Sequence, residues 1–126
     1  MPVNMKYGKG ADEVKANRFF VPLWSNSSPT SSFAAQTINI NLNAYSWFAV
    51  RVRFSSTTPR EMPLFFFPVD EIGKYIYTVA GDTNRVGTRS ITYDMENMAL
   101  AISGGYYNGA ANNSSVIPLE IYGVSL

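Results

Sequence analysis

Apolar residues recur at every second position in several short stretches of the chain, the period of a strand with one face buried. The longest stretch runs from Trp47 to Phe54. It sets Phe48, Val50, Val52 and Phe54 on one side, with Trp47, Ala49, Arg51 and Arg53 on the other. The first set belongs in a core. The second suits either a solvated sheet face with a partner or a wall between subunits. Gln36 to Asn43 alternates as strictly, with Ile38, Ile40 and Leu42 inward and Asn39, Asn41 and Asn43 outward. The short Ala44-Tyr45 link predicts a hairpin between these two strands.

Arg18 to Trp24 reads as a further strand, and Pro22, which has no N–H to donate, places it at an edge or a bulge. Met62 to Pro68 is apolar on both faces and bracketed by prolines, which predicts a short strand buried on both sides. Lys74 to Ala80 and Arg85 to Tyr93 flank Gly81-Asp82-Thr83-Asn84, residues that accept the positive φ of a hairpin turn. Asn97 to Ser103 alternates again, with Met98, Leu100 and Ile102 toward the core. Gly104 to Ser115 is the longest polar loop, and Val116 to Val124 is the last strand, with Pro118 requiring an edge or a bulge. About eight short strands with turn signals between them predict a single-domain antiparallel β-sandwich over residues 18–126, jelly-roll-like, with a closed barrel as the alternative. Residues 1–17 read as an N-terminal arm, either flexible or packed on a neighbouring subunit, with one helical turn near Asp12.

The chemistry open to such a domain narrows sharply with composition. The 126 residues include no cysteine and no histidine, which removes disulfides, thiol nucleophiles, imidazole acid–base chemistry and His- or Cys-bearing metal sites. Only 15% of residues are charged, against the usual quarter, so the surface is built from Asn, Ser, Thr, Tyr and Gly. With ten basic and nine acidic residues the net charge is +1, and no long-range field favours nucleic acid or an anionic membrane. The N-terminus has no apolar signal-peptide core, and no apolar run reaches the length of a membrane span. Export would then depend on another route, such as host lysis.

The order of segments resembles a known class of domain. The chain runs from Leu23-Trp24-Ser25-Asn26-Ser27-Ser28-Pro29-Thr30-Ser31-Ser32-Phe33-Ala34 through the alternating and Arg-bearing strands. It then passes Arg89-Ser90-Ile91-Thr92-Tyr93 and ends on Ile117-Pro118-Leu119-Glu120-Ile121-Tyr122-Gly123-Val124. This is similar to a small β domain found in structural proteins of tailed bacteriophages and prophages, in tail, baseplate or head-fibre components. The resemblance spans roughly Phe20 to Val124. It implies a virion component without enzymatic activity or cofactor, one that assembles with itself, as a symmetric trimer, and with other virion proteins. Independently of that likeness, Asn26 and the serines beside it can bond to nearby backbone and fix their loop, with Trp24 and Phe33 anchoring its ends. Tyr122, next to Gly123, looks like a corner residue whose hydroxyl needs a partner if buried.

Four kinds of site are open to these residues. Paired carboxylates could serve a glycosidase, but Asp70-Glu71 would point to opposite faces of a strand, and Asp94 with Glu96 reads more simply as solvated turn residues. Calcium could sit at Asp82-Thr83-Asn84 or Asp94-Met95-Glu96-Asn97, although neither has a calcium-loop spacing. Trp47, Arg51 and Arg53 could stack and neutralise single-stranded nucleic acid, yet the near-zero net charge favours a subunit interface. Carbohydrate binding is the alternative function. Tyr106, Tyr107, Asn108, Asn112 and Asn113 combine aromatic faces with hydroxyl-matching amides in one loop, which would suit a host surface glycan.

Overall fold

Each alternating stretch becomes a strand because only a pleated ribbon lays its apolar residues on one side. The computed structural model describes residues 19–55, 61–69, 74–82 and 84–125. The N-terminal arm, the Asp70-Glu71 pair and Thr83 lie outside the described residues. Strands are β1 (Phe20–Ser25), β2 (Gln36–Asn39), β3 (Trp47–Ser55), β4 (Glu61–Pro68), β5 (Lys74–Asp82), β6 (Arg85–Asp94), β7 (Ala99–Ile102), β8 (Tyr106–Tyr107), β9 (Ala110–Ala111) and β10 (Ser115–Val124). They form two sheets. One has the order β1-β10-β3-β4; the other has β2-β7-β6-β8-β9, with β5 on the opposite edge of β6 from β8. All ladders are antiparallel and none joins the two sheets among the described residues, so the fold is an all-β sandwich and not a closed barrel.

The core lies between the sheets. Phe48, Val50, Val52 and Phe54 of β3, Phe67 of β4, and Ile117 and Ile121 of β10 meet Ile91, Tyr93, Leu100, Ile102 and Ile38 from the other sheet. β1 is an edge strand, with a register shift between Pro22 and Trp24; β10 is central, and its ladder to β3 shifts between Pro118 and Glu120. Both prolines thus sit beside bulges, as their missing N–H groups require.

Four expectations change. Ala44-Tyr45 does not close a hairpin: β2 pairs with β7 while β3 pairs with β4 and β10, so the chain crosses from one sheet to the other after Asn39. The crossing succeeds because other groups take the backbone bonds. Ile40 N donates to Met98 O at 3.0 Å, and Leu42 N donates to the Tyr93 hydroxyl at 2.9 Å. The strand at Met62 to Pro68 is not buried on both sides. β4 is an edge strand, so Phe67 stacks on Phe48 with ring centroids 5.2 Å apart while Phe66 stands out at 48% exposed. Met98 does not face the core. It has φ +50° at the end of the β6–β7 turn, which swings its side chain outward. Finally, residues 104–115 are not one loop but carry the β8–β9 hairpin, which raises the strand number from about eight to ten.

One charged residue sits inside this apolar interior. Arg89 of β6 shares a side of its strand with Ile91 and Tyr93 and is 1% exposed. Its Nε donates to Val116 O and its Nη1 to Ser103 O, each at 2.6 Å, while Nη2 donates to Asn113 O and Ser115 O, each at 3.1 Å. Its guanidinium also lies 5.3 Å from the Phe33 ring centroid, in cation–π geometry. A single planar fork therefore satisfies the end of β7, the loop after β9 and the start of β10. Val116, a β-branched residue, holds φ +51° there, a strained conformation that its bond to Arg89 helps to fix. Close approach is needed as well. A Cβ on Gly105 would lie 2.5 Å from Asn112 O and 2.9 Å from Arg89 Nη2, so no larger residue fits.

Replacing Arg89 with Met keeps the apolar stem but takes a donor from each of four carbonyls, of which Asn113 O keeps its bond from Phe33 N. Urea unfolding should show a loss of about 3–5 kcal/mol. Arg89→Lys, with one point charge in place of the fork, should recover only part of it. Stability within about 0.5 kcal/mol of the parent in the Met variant would contradict this role.

Candidate functional surface

The β8–β9 hairpin owes its shape to Asn108-Gly109. Both residues have positive φ, +51° and +85°, as a type I′ turn demands. Asn108 then ties the hairpin to β6: its N–H donates to Val86 O at 2.8 Å, its Oδ1 accepts Val86 N at 2.9 Å and its Nδ2 donates to Asn84 O at 2.6 Å. Asn112 Oδ1 accepts Ser114 N, and Asn113 Oδ1 accepts Gly105 N. The two tyrosines, adjacent in a strand, point opposite ways. Tyr106 is 45% exposed, and Tyr107 turns to the core with its ring centroid 6.0 Å from that of Phe54. The five residues of the expected glycan loop are thus close in sequence but do not converge on one ligand position; the carbonyl oxygens of all three amides are used by the backbone.

Asp94 is engaged in the same way. Its Oδ1 accepts Glu96 N and Asn97 N, and its Oδ2 accepts Asn97 Nδ2 at 2.7 Å, so the carboxylate caps the β6–β7 turn. The side-chain and backbone bonds from Asn97, with a smaller one from Glu96, hold its pKa below the ordinary value. Among the described residues no group of three acidic side chains converges as a metal would need.

Trp47, Arg51 and Arg53 do share one surface, the outer face of the four-stranded sheet. Register brings further residues to it. Ala49 lies between Phe66 of β4 and Tyr122 of β10, and Arg51 lies between Leu64 and Glu120. Phe20 of β1 completes an aromatic cluster, with ring centroids 6.1 Å from Phe66 and 6.3 Å from Tyr122, both edge to face. Beneath it Ala49 is wholly buried, while Phe20 is 39% and Phe66 48% exposed. Beside the cluster, Arg51 Nε donates to Glu120 Oε1 at 3.1 Å, and the Tyr122 hydroxyl donates to the same oxygen. Arg53 Nη1 donates to Pro29 O at 2.8 Å, which holds the loop after β1 over this face. That loop is further fixed by Asn26, whose Nδ2 donates to Pro118 O and whose Oδ1 accepts Ser28 N, each at 2.8 Å. Trp24 and Phe33 meet edge to face under its ends.

Phe20 and Phe66 carry no sequence signal as site residues, and Glu120 is marked only as one acid among several. Their signal is visible only once the strands are aligned, because the three lie on different strands. Burial and the bond to Glu120 raise the Tyr122 pKa above its ordinary value, with Arg51 opposing, and the hydrogen bond to Tyr122, with Glu120, raises that of Arg51.

No family model matches the chain, and neither a curated protein nor a solved structure matches it. The likeness to phage structural domains rests on the segments quoted above.

Two outcomes follow from these contacts. Asn108→Ala should destabilise the protein by about 1–2 kcal/mol in urea, whereas Tyr106→Ala should stay within about 0.5 kcal/mol. The folded state holds the Tyr122 proton more tightly than the unfolded chain does. Its contribution is therefore complete below the unfolded pKa of about 10 and is lost as pH rises through the folded value. Melting temperatures followed into this alkaline range should fall less steeply in Tyr122→Phe than in the parent; equal slopes would contradict the assignment.

Proposed function

We propose that the chain is a non-enzymatic structural subunit of a phage or prophage particle, a tail, baseplate or head-fibre component, that assembles through the outer face of its four-stranded sheet. The observation that carries the assembly is the Phe20, Phe66 and Tyr122 cluster. Two phenylalanines stand well out of a sheet whose inner face already fills the core, so nothing in the packing of the described residues requires them there. Aromatic residues flanked by Trp47 and an arginine have the make-up of an interface centre, and the Arg51–Glu120 pair gives it a polar rim. The particle setting is supported by the order of the Trp24 to Ala34, Arg89 to Tyr93 and Ile117 to Val124 segments.

Sedimentation equilibrium from about 1 to 100 μM tests the assembly, since mass action must raise the mean mass with concentration. The parent is expected to reach a discrete oligomer, a trimer in the simplest case. Phe66→Glu should shift it to the monomer, and Thr37→Glu, on an exposed position of the other sheet, should not. A monomer throughout, or an oligomer indifferent to Phe66→Glu, would overturn the proposal.

A further inference from the structure

A second surface lies at the end of the sandwich where the chain crosses between the sheets. Tyr45, Ser46 and Trp47 make that crossing, and with Asn43, Pro68 and Met95 they line a cleft of about 510 Å³. This is within the range of small-ligand sites, about 300–1,000 Å³. Val69 is the remaining described residue of the lining, so no charged side chain among the described residues faces the cleft.

Its walls are held firmly. The Tyr45 ring lies against the bare Cα of Gly123, where an added Cβ would come within 2.6 Å of the ring. Tyr45 N donates to Leu42 O at 3.0 Å, and Val69 N donates to Ser46 O at 3.0 Å. Asn43 is clamped from three directions: its Oδ1 accepts the Tyr93 hydroxyl at 2.8 Å, its Nδ2 donates to Met95 O at 3.1 Å and its N–H donates to Asn41 Oδ1 at 3.0 Å. Trp47 stands in register with Pro68. By contrast, the Tyr45 hydroxyl, the Ser46 hydroxyl and the Trp47 indole N–H have no hydrogen-bond partner among the described residues, which leaves two donor–acceptors and a donor for a ligand.

From this geometry we infer that the end cleft binds a neutral saccharide, a single uncharged pyranose unit of a larger glycan. Its apolar ring face rests on the Tyr45 or Trp47 ring, and its hydroxyls take the three unused polar groups. No described residue of the lining is charged, which disfavours sialic acids, phosphosugars and amino sugars with a free ammonium, whose charges would be desolvated without a partner there. Preformed walls suit a shallow site, because little order has to be created on binding. The inference rests on the cleft alone and holds whether or not copies associate.

Saturation-transfer NMR of the intact protein tests it, with glucose, galactose, mannose, N-acetylglucosamine and N-acetylgalactosamine each at about 10 mM, well above a dissociation constant on the order of 1 mM. At least one should show transfer to its ring protons that saturates as the sugar concentration is raised. Tyr45→Phe keeps the packing on Gly123 and removes one hydroxyl, and should weaken binding several-fold. Trp47→Ala should weaken it by about tenfold or more, while Tyr106→Ala leaves it unchanged. Transfer to none of the five sugars would overturn the inference, as would binding that survives both Tyr45→Phe and Trp47→Ala. Binding lost only in Tyr106→Ala would move the site to the β8–β9 hairpin and overturn it equally. Since the readout does not depend on the association state, its failure is separate from a failure of assembly.

Discussion

A buried guanidinium holds this sandwich in its shape. Arg89 projects from the middle of β6 into a largely apolar interior and bonds to four backbone carbonyls. Those carbonyls belong to segments that cannot satisfy each other by ladders: the end of β7, the turn after the β8–β9 hairpin and the strained start of β10 at Val116. Desolvating a cation is costly, so the site holds only because its acceptors are matched by geometry. Gly105, where a Cβ would strike Asn112 O and Ser115 O, makes room for the approach. β10, the central strand of the other sheet, is laddered to β1 and β3, and this anchor ties its start to β6.

Polar side chains elsewhere are spent on the same kind of task. Asn26 ties a loop to Pro118, Asn43 ties the crossing to Met95, Asp94 caps a turn and Asn108 secures a hairpin. An Asn-, Ser- and Thr-rich composition looks like a ligand-ready surface, yet much of it is backbone support in a chain of short strands and long connections. What this leaves for recognition are two places where side chains exceed structural need. These are the aromatic cluster outside the four-stranded sheet and the cleft where the chain crosses between sheets. Trp47 borders both.

Alternation alone made the sandwich and most of its core legible: Phe48 to Phe54, Ile38 to Leu42, and Leu100 with Ile102 all bury the side that the period assigns. Pro22 and Pro118 announced bulges because a missing N–H is a local fact. The crossing at Tyr45 was not legible, since alternation says which side of a strand is apolar but not which sheet the strand joins. The β8–β9 hairpin is legible in the chain, since Asn108-Gly109 between Tyr-Tyr and Ala-Ala is a strong type I′ signal. Arg89 shares parity with Ile91 and Tyr93, which hinted at burial, but its four acceptors come from distant segments. For the same reason the Phe20, Phe66 and Tyr122 cluster had no sequence signal: three strands far apart in the chain meet only through register.

Association of copies through that cluster is tested most directly by hydroxyl-radical footprinting with mass spectrometry, which reads it residue by residue. Labelling is compared between dilute and concentrated protein. Phe20, Phe66 and Tyr122 should lose reactivity as concentration rises, while the exposed Tyr106 and Met98 of the six-stranded sheet keep theirs. Equal labelling of Phe20 and Phe66 at both concentrations, or protection confined to Tyr106 and Met98, would contradict the claim.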